Sequence, residues 1–110
     1  MTALRQLVTL VLACAAISAV HGADAAANWS NKCAKCHGEN GKGDTKMGHK
    51  LRINDFTEAA FQAKFTDQEA FKAVKTGLVD AKGKIIMKAI EGLSDEEINA
   101  LVAHVRSLKK

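Results

Sequence analysis

Cys33-Ala34-Lys35-Cys36-His37 is the feature that most restricts what this chain can fold into. The two thiols stand three positions apart, one helical turn from each other, and a histidine follows the second directly. Covalent attachment of a c-type haem requires this spacing. The thiols add to the two vinyl groups of the macrocycle, and the next residue offers an imidazole to the iron as proximal ligand. A CxxC pair alone would say little. CxxCH in an exported chain, with a methionine suitably placed downstream, says much more.

Export is read from the first 25 residues. Arg5 supplies a positive start, Leu7 to Val20 form an apolar run, and Ala23-Asp24-Ala25 places small residues at the −3 and −1 positions of a cleavage site. The run falls short of the roughly 20 apolar residues that a membrane span needs, which disfavours an uncleaved anchor. Val20-His21-Gly22 is also sterically acceptable to the peptidase. Cys14 lies inside the run, and Val11-Leu12-Ala13-Cys14 loosely matches a lipoprotein cleavage box. The apolar stretch continues to Val20, where a soluble tether should already have begun, so lipid attachment is disfavoured. The expected organisation is a signal peptide over 1–25 and a single haem domain over 26–110, delivered to the periplasm.

A domain of that size is near the lower limit of what an apolar core alone holds together. The two cysteines left after cleavage cannot supply a disulfide framework, whereas a buried macrocycle adds the apolar surface the side chains lack. All five aromatics (Trp29, Phe56, Phe61, Phe65, Phe71) fall in this part, as packing around one flat ligand demands. The chain has no proline and no internal repeat. Its patterning predicts helices separated by polar loops, with no strand. A first helix is expected over Ala26–Ala34, with Trp29 on the same face as Cys33 and buried. The glycine-rich Gly38–Asp44 follows as a loop. It lacks the preceding strand that a phosphate-binding loop would need. A short helix is expected over Thr57–Ala63. Another is capped by Thr66 and Glu69, stops at Gly77, and turns Ala70, Phe71 and Val74 inward. The last helix starts at Ser94 with Glu97 as its capping-box partner and repeats Ile98, Leu101, Val102, Val105 and Leu108 on one face. Trp29 of the first helix is the expected partner of that face.

The candidate sixth iron ligand is Met87, which follows the loop signal Asp80-Ala81-Lys82-Gly83-Lys84. The chain between His37 and Met87 is long enough to round the macrocycle edge and reach its opposite face. Met47 would have to do so across a glycine-rich loop with no slack. A gap-filling core methionine beside Ile85 and Ile86 is the alternative for Met87. His49, in a lysine-rich loop, and His104, between Val102 and Val105, compete for the same role. Bis-histidine iron would have a lower potential than His/Met iron. His37 is expected to set its other ring nitrogen against a backbone carbonyl, with Lys46–Leu51 as the candidate donor of that carbonyl.

Taken together, these residues resemble the small class I cytochromes c over nearly all of 28–110. The resemblance rests on Trp29 before Cys33-Ala34-Lys35-Cys36-His37-Gly38, on Asn40-Gly41-Lys42-Gly43-Asp44, on the loop holding Met87, and on Leu93-Ser94-Asp95-Glu96-Glu97-Ile98 leading into Leu101–Arg106. It implies an all-α fold of four to five short helices around one haem c, with the terminal helices crossing. It gives thioether roles to Cys33 and Cys36 and axial roles to His37 and Met87. It also implies a carrier of electrons between redox partners rather than an enzyme. The chain departs from the family pattern in three places. Lys88 follows the methionine where proline is common, no proline buttresses the proximal side, and His104 stands where an aromatic is frequent.

With both axial positions filled, small molecules have no open place on the iron, and outer-sphere electron transfer is the natural task. The alternative is a haem enzyme or gas sensor, peroxidase-like, whose methionine is absent or displaceable. A thioredoxin-like thiol pair would need a βαβ setting that is missing. A structural zinc site would need a fourth ligand beyond Cys33, Cys36 and His37. The net charge is +4. Lys32, Lys35, Lys42, Lys46, Lys50 and Arg52, together with Lys82, Lys84 and Lys88, outnumber the acids among them, so acidic redox partners are expected. The competing reading is a solvated lysine-rich surface. Export and the interspersed acids disfavour nucleic acid, and a monomer with no membrane span is expected once the leader is gone.

Overall fold

The computed structural model describes residues 22–110; Arg5, the apolar run and Cys14 lie outside the described residues. Helices α1 (Gly22–Lys32), α2 (Ala34–His37), α3 (Lys46–Leu51), α4 (Ala59–Gln62) and α5 (Asp67–Thr76) come first. A hairpin of β1 (Leu78–Val79) and β2 (Ile85–Met87) follows, and α6 (Asp95–Ser107) closes the chain. The architecture is all-α apart from that small hairpin.

The terminal helices α1 and α6 pack on each other, and the core lies where they meet. Trp29, Cys33, Ala34 and Leu101 form its centre, with Phe56, Leu93, Val105 and Leu108 packed around them. Ile98 and Val102 are buried one turn away on the same α6 stripe. Each large side chain removed from water there contributes about 1.5–3 kcal/mol. Asn28 of α1 donates to Glu97 Oε2 at 3.3 Å and ties the crossing at its polar edge.

Both expected capping boxes form. Thr66 Oγ1 accepts from the Glu69 amide while Glu69 Oε1 accepts from the Thr66 amide, and Ser94 and Glu97 do the same for α6. Helix α5 ends at Gly77, whose φ of +79° is open to glycine without strain. It presents Ala70, Phe71 and Val74 half-buried, as expected.

Four expectations are corrected. His49 lies on helix α3 rather than in a loop. The first helix is already formed at Gly22, the first described residue, ahead of the expected Ala26, and it stops at Lys32. Cys33 turns out of helical geometry at a φ of −120° while its amide still donates to the Trp29 carbonyl, and α2 is a separate turn carrying Cys36 and His37. The second helical stretch shrinks from Thr57–Ala63 to the single turn Ala59–Gln62. The region around the methionine is a strand pair rather than a loop. Leu78 pairs with Met87 and Val79 with Ile85, with an irregularity between them. Asp80 closes the turn by accepting from the Lys82 and Lys84 amides, both at 2.9 Å. Strands of two and three residues carry no readable alternation, so the turn residues dominated the pattern.

Buried Gln62 joins α4 to α6. Its Nε2 donates to the Phe56 and Val105 carbonyls at 2.7 and 2.8 Å. Arg106 completes this joint through the Gln62 and Phe65 carbonyls and Asp67, with its guanidinium 4.3 Å from the Phe65 ring centroid.

Candidate functional site

The turn carrying Cys33, Cys36 and His37 is held by its own carbonyls. The Cys33 carbonyl accepts from the Cys36 and His37 amides. The next three acceptors are engaged from three parts of the chain. Thr45 Oγ1 donates to the Cys36 carbonyl at 2.6 Å, the Gly43 amide donates to that of His37 at 2.7 Å, and Trp29 Nε1 donates to that of Gly38 at 3.0 Å. Gly43 has a φ of +67°, and a Cβ there would stand 3.0 Å from the Ile53 carbonyl. Gly48 is buried where α3 lies directly on the turn, with the Gly43 and Cys36 carbonyls in the space a Cβ would need. Thr45 serves twice, because its Oγ1 also accepts from the Gly48 amide and caps α3.

Cys33 and Cys36 are free thiols, the first buried and the second half-buried. Burial pushes the Cys33 thiol up to about 11, only partly offset by nearby Lys32, so it stays protonated. Burial likewise holds His37 below its ordinary value and keeps the imidazole neutral, the form that ligates metals. The ring stacks on Phe56 at 5.1 Å and lies 5.7 Å from Trp29. His37 Nδ1 is buried without a hydrogen-bond partner. The expected carbonyl from 46–51 therefore does not reach it, because α3 approaches the turn through Gly48 and makes its polar contacts with Cys36 through Thr45.

An open groove of about 700 Å³ runs between the end of α1 and the hairpin, and Cys33, Cys36 and His37 are not among its lining residues. Lys32, the residue before Cys33, lines it together with Leu78, Val79, Ile85 and Met87. Ile85 and Met87 share one face of β2 by strand alternation. Leu78, Val79, Ile85 and Ile86 are exposed, an unusual concentration of large apolar side chains on the surface of so small a domain. Met87 is half-buried.

The rival ligands do not line this groove. His49 is exposed and paired with Asp44 Oδ1 at 2.8 Å. Met47 is half-buried on α3. His104 packs 5.2 Å from the Trp29 ring in the helix crossing, with Nε2 buried and unpartnered. Among the described residues, no three His, Cys, Asp or Glu side chains gather as a metal cluster.

The sequence reading missed Thr45 and Gly48. Thr45 three residues before Gly48 is a helix-cap pattern that was open to reading, but the contact between Gly48 and the Cys36 carbonyl has no local signature.

A family model for cytochrome c matches residues 22–109. The chain belongs to the cytochrome c family. Among solved structures, the KustC0563 c-type cytochrome is similar at 30% identity and a TM-score of 0.66, covering 78% of this chain and 98% of that one. A single-substitution mutant of the same cytochrome aligns with a TM-score of 0.64 at 30% identity, over 78% of this chain and 99% of its own. No curated protein matches significantly. Membership in the cytochrome c family brings a covalently bound haem c with its iron and haem-based electron transfer. The residues present carry the chemistry that cofactor needs: two unpaired thiols and a neutral imidazole on one turn, and an uncovered groove lined by Lys32 and Met87, though not by Cys33, Cys36 or His37. Among the described residues no helix is long and apolar enough to cross a membrane.

Proposed function

We propose that this cytochrome c is a periplasmic carrier of single electrons between redox proteins, with haem held by Cys33 and Cys36 and ligated by His37 and Met87. The observation that carries the reading is the shared groove, which places Lys32, next to Cys33, and Met87 on the walls of one apolar space. The bound haem supplies a one-electron couple at its iron.

The polypeptide's own part divides among few residues. Cys33 and Cys36 hold through their sulfurs, on a turn whose carbonyls are already engaged by Thr45, Gly43 and Trp29. His37 presents a neutral ring pinned between Phe56 and Trp29. The hairpin carries the Met87 thioether, and Leu78, Val79 and Ile85, exposed along the same groove, would cover the apolar face of the haem. With His37 and Met87 both engaged by the haem, transfer of electrons would be favoured over chemistry on small molecules.

The test is an absorption spectrum of both redox states of protein matured with haem, alongside Met87→Ala. The wild type is expected to show the weak long-wavelength ferric band of methionine ligation. The variant is expected to lose that band, drop in potential and bind carbon monoxide when reduced. An unchanged variant spectrum moves the ligand elsewhere, and prompt stoichiometric carbon monoxide binding by the wild type favours an open-iron enzyme or sensor.

A further inference from the structure

We infer that signal peptidase cuts between Gly22 and Ala23, not after Ala25, and that the exported protein begins Ala23-Asp24-Ala25. This rests on the periplasmic reading above. Three observations carry it. Ala25 is 2% exposed, among the most deeply buried of the described residues, inside α1 and one turn before buried Trp29 on the same face. It belongs to the folded domain rather than to a disposable leader. Asp24 is exposed in the first turn of α1 and is the only acid there. It places a carboxylate at the positive end of the helix and beside the new α-amine. Cutting after Ala25 would remove that carboxylate and leave the cationic amine at the head of the shortened helix. The match to the cytochrome c family likewise begins at residue 22.

The sequence permits the earlier cut. Val20 and Gly22 fall at −3 and −1, both small enough for the peptidase, and the apolar run ends just before them. Hydrolysis breaks the Gly22–Ala23 amide: water gives its hydroxyl to the Gly22 carbonyl carbon and a proton to the Ala23 nitrogen. The leader departs with a C-terminal carboxylate.

The experiment expresses the full chain with c-type maturation, isolates the periplasmic holoprotein, and reads its N-terminus by sequencing and its intact mass. A start at Ala23 is expected. A haem-loaded periplasmic product starting at Ala26 overturns this inference and leaves the export reading intact. A product that keeps Met1 and stays out of the periplasm overturns both. Gly22→Leu provides an independent check, since a bulky −1 residue should at least halve the yield of the Ala23 form and build up precursor. Unchanged processing of Gly22→Leu rules out the Gly22–Ala23 cut.

Discussion

A single buried glycine does as much for this site as the residues that name it. Gly48 lets α3 lie on the turn carrying the two cysteines, and a methyl group there would strike the Gly43 and Cys36 carbonyls, both backbone and neither free to yield. Gly48→Ala is expected to lower holoprotein stability by about 1–3 kcal/mol, the usual range for overpacking, as read from guanidinium unfolding midpoints at constant slope. An unshifted midpoint would mean that α3 can slide away at no cost. Thr45→Val keeps the shape and removes the hydroxyl, leaving the Cys36 carbonyl and the Gly48 amide without their partner. A loss of about 1–3 kcal/mol is expected in the same assay. The chemistry-bearing residues were legible because CxxCH is a covalent requirement written in consecutive positions. Their supports were not, since the contact of Gly48 with Cys36 depends on how the intervening loop closes.

At the scale of elements, the helices opened by capping boxes could be read from the sequence, whereas α3, capped by Thr45 without such a box, and the elements lacking a cap signal were not. Ser94 and Glu97 marked the start of α6 correctly, because a capping box is a local exchange of hydrogen bonds. The break at Cys33 and the three-residue strand β2 leave no such trace. Those hydrogen bonds, with that from Asn28, hold the Glu97 carboxyl below its ordinary value, so the folded state favours its ionised form. The unfolded chain then binds the proton more readily. Stability contributed by Glu97 is present above about pH 4.5 and is lost as pH falls through the lowered folded value. Glu97→Gln should therefore flatten the acid limb of a stability-against-pH curve below that point, and an identical limb would deny the linkage. The crossing itself contains a flaw open to repair. His104 packs against Trp29 but buries Nε2 without a partner. His104→Phe keeps a ring there and removes the orphaned nitrogen, so a gain of about 1 kcal/mol or more in the unfolding assay is expected.

Over the whole molecule, the charges divide by what they are already bound to. The ion pairs among the described residues are His49–Asp44, Lys75–Asp95 and Arg106–Asp67. Glu69 and Glu97 are engaged in capping boxes. Much of the acid is thus committed within the fold. Lys32 and Lys88 line the groove against the single acid Glu91, Lys82 and Lys84 stand on the hairpin turn, and all four lysines are exposed and outside every one of those pairs. On the proposed reading, such lysines around an apolar opening would steer an acidic partner toward the haem, and they would do so through solvent. Such steering decays with the Debye length, about 30 Å at 0.01 M salt and 8 Å at 0.15 M. The bimolecular rate of electron transfer to an acidic redox protein is expected to fall about tenfold or more across that range. Lys32→Glu together with Lys88→Glu should slow the low-salt reaction and shallow its salt dependence, while the ferric spectrum stays unchanged. A wild-type rate that ignores salt, or a double variant with an undiminished slope, would reduce these lysines to an ordinary solvated surface and leave partner choice to the apolar side chains of the hairpin.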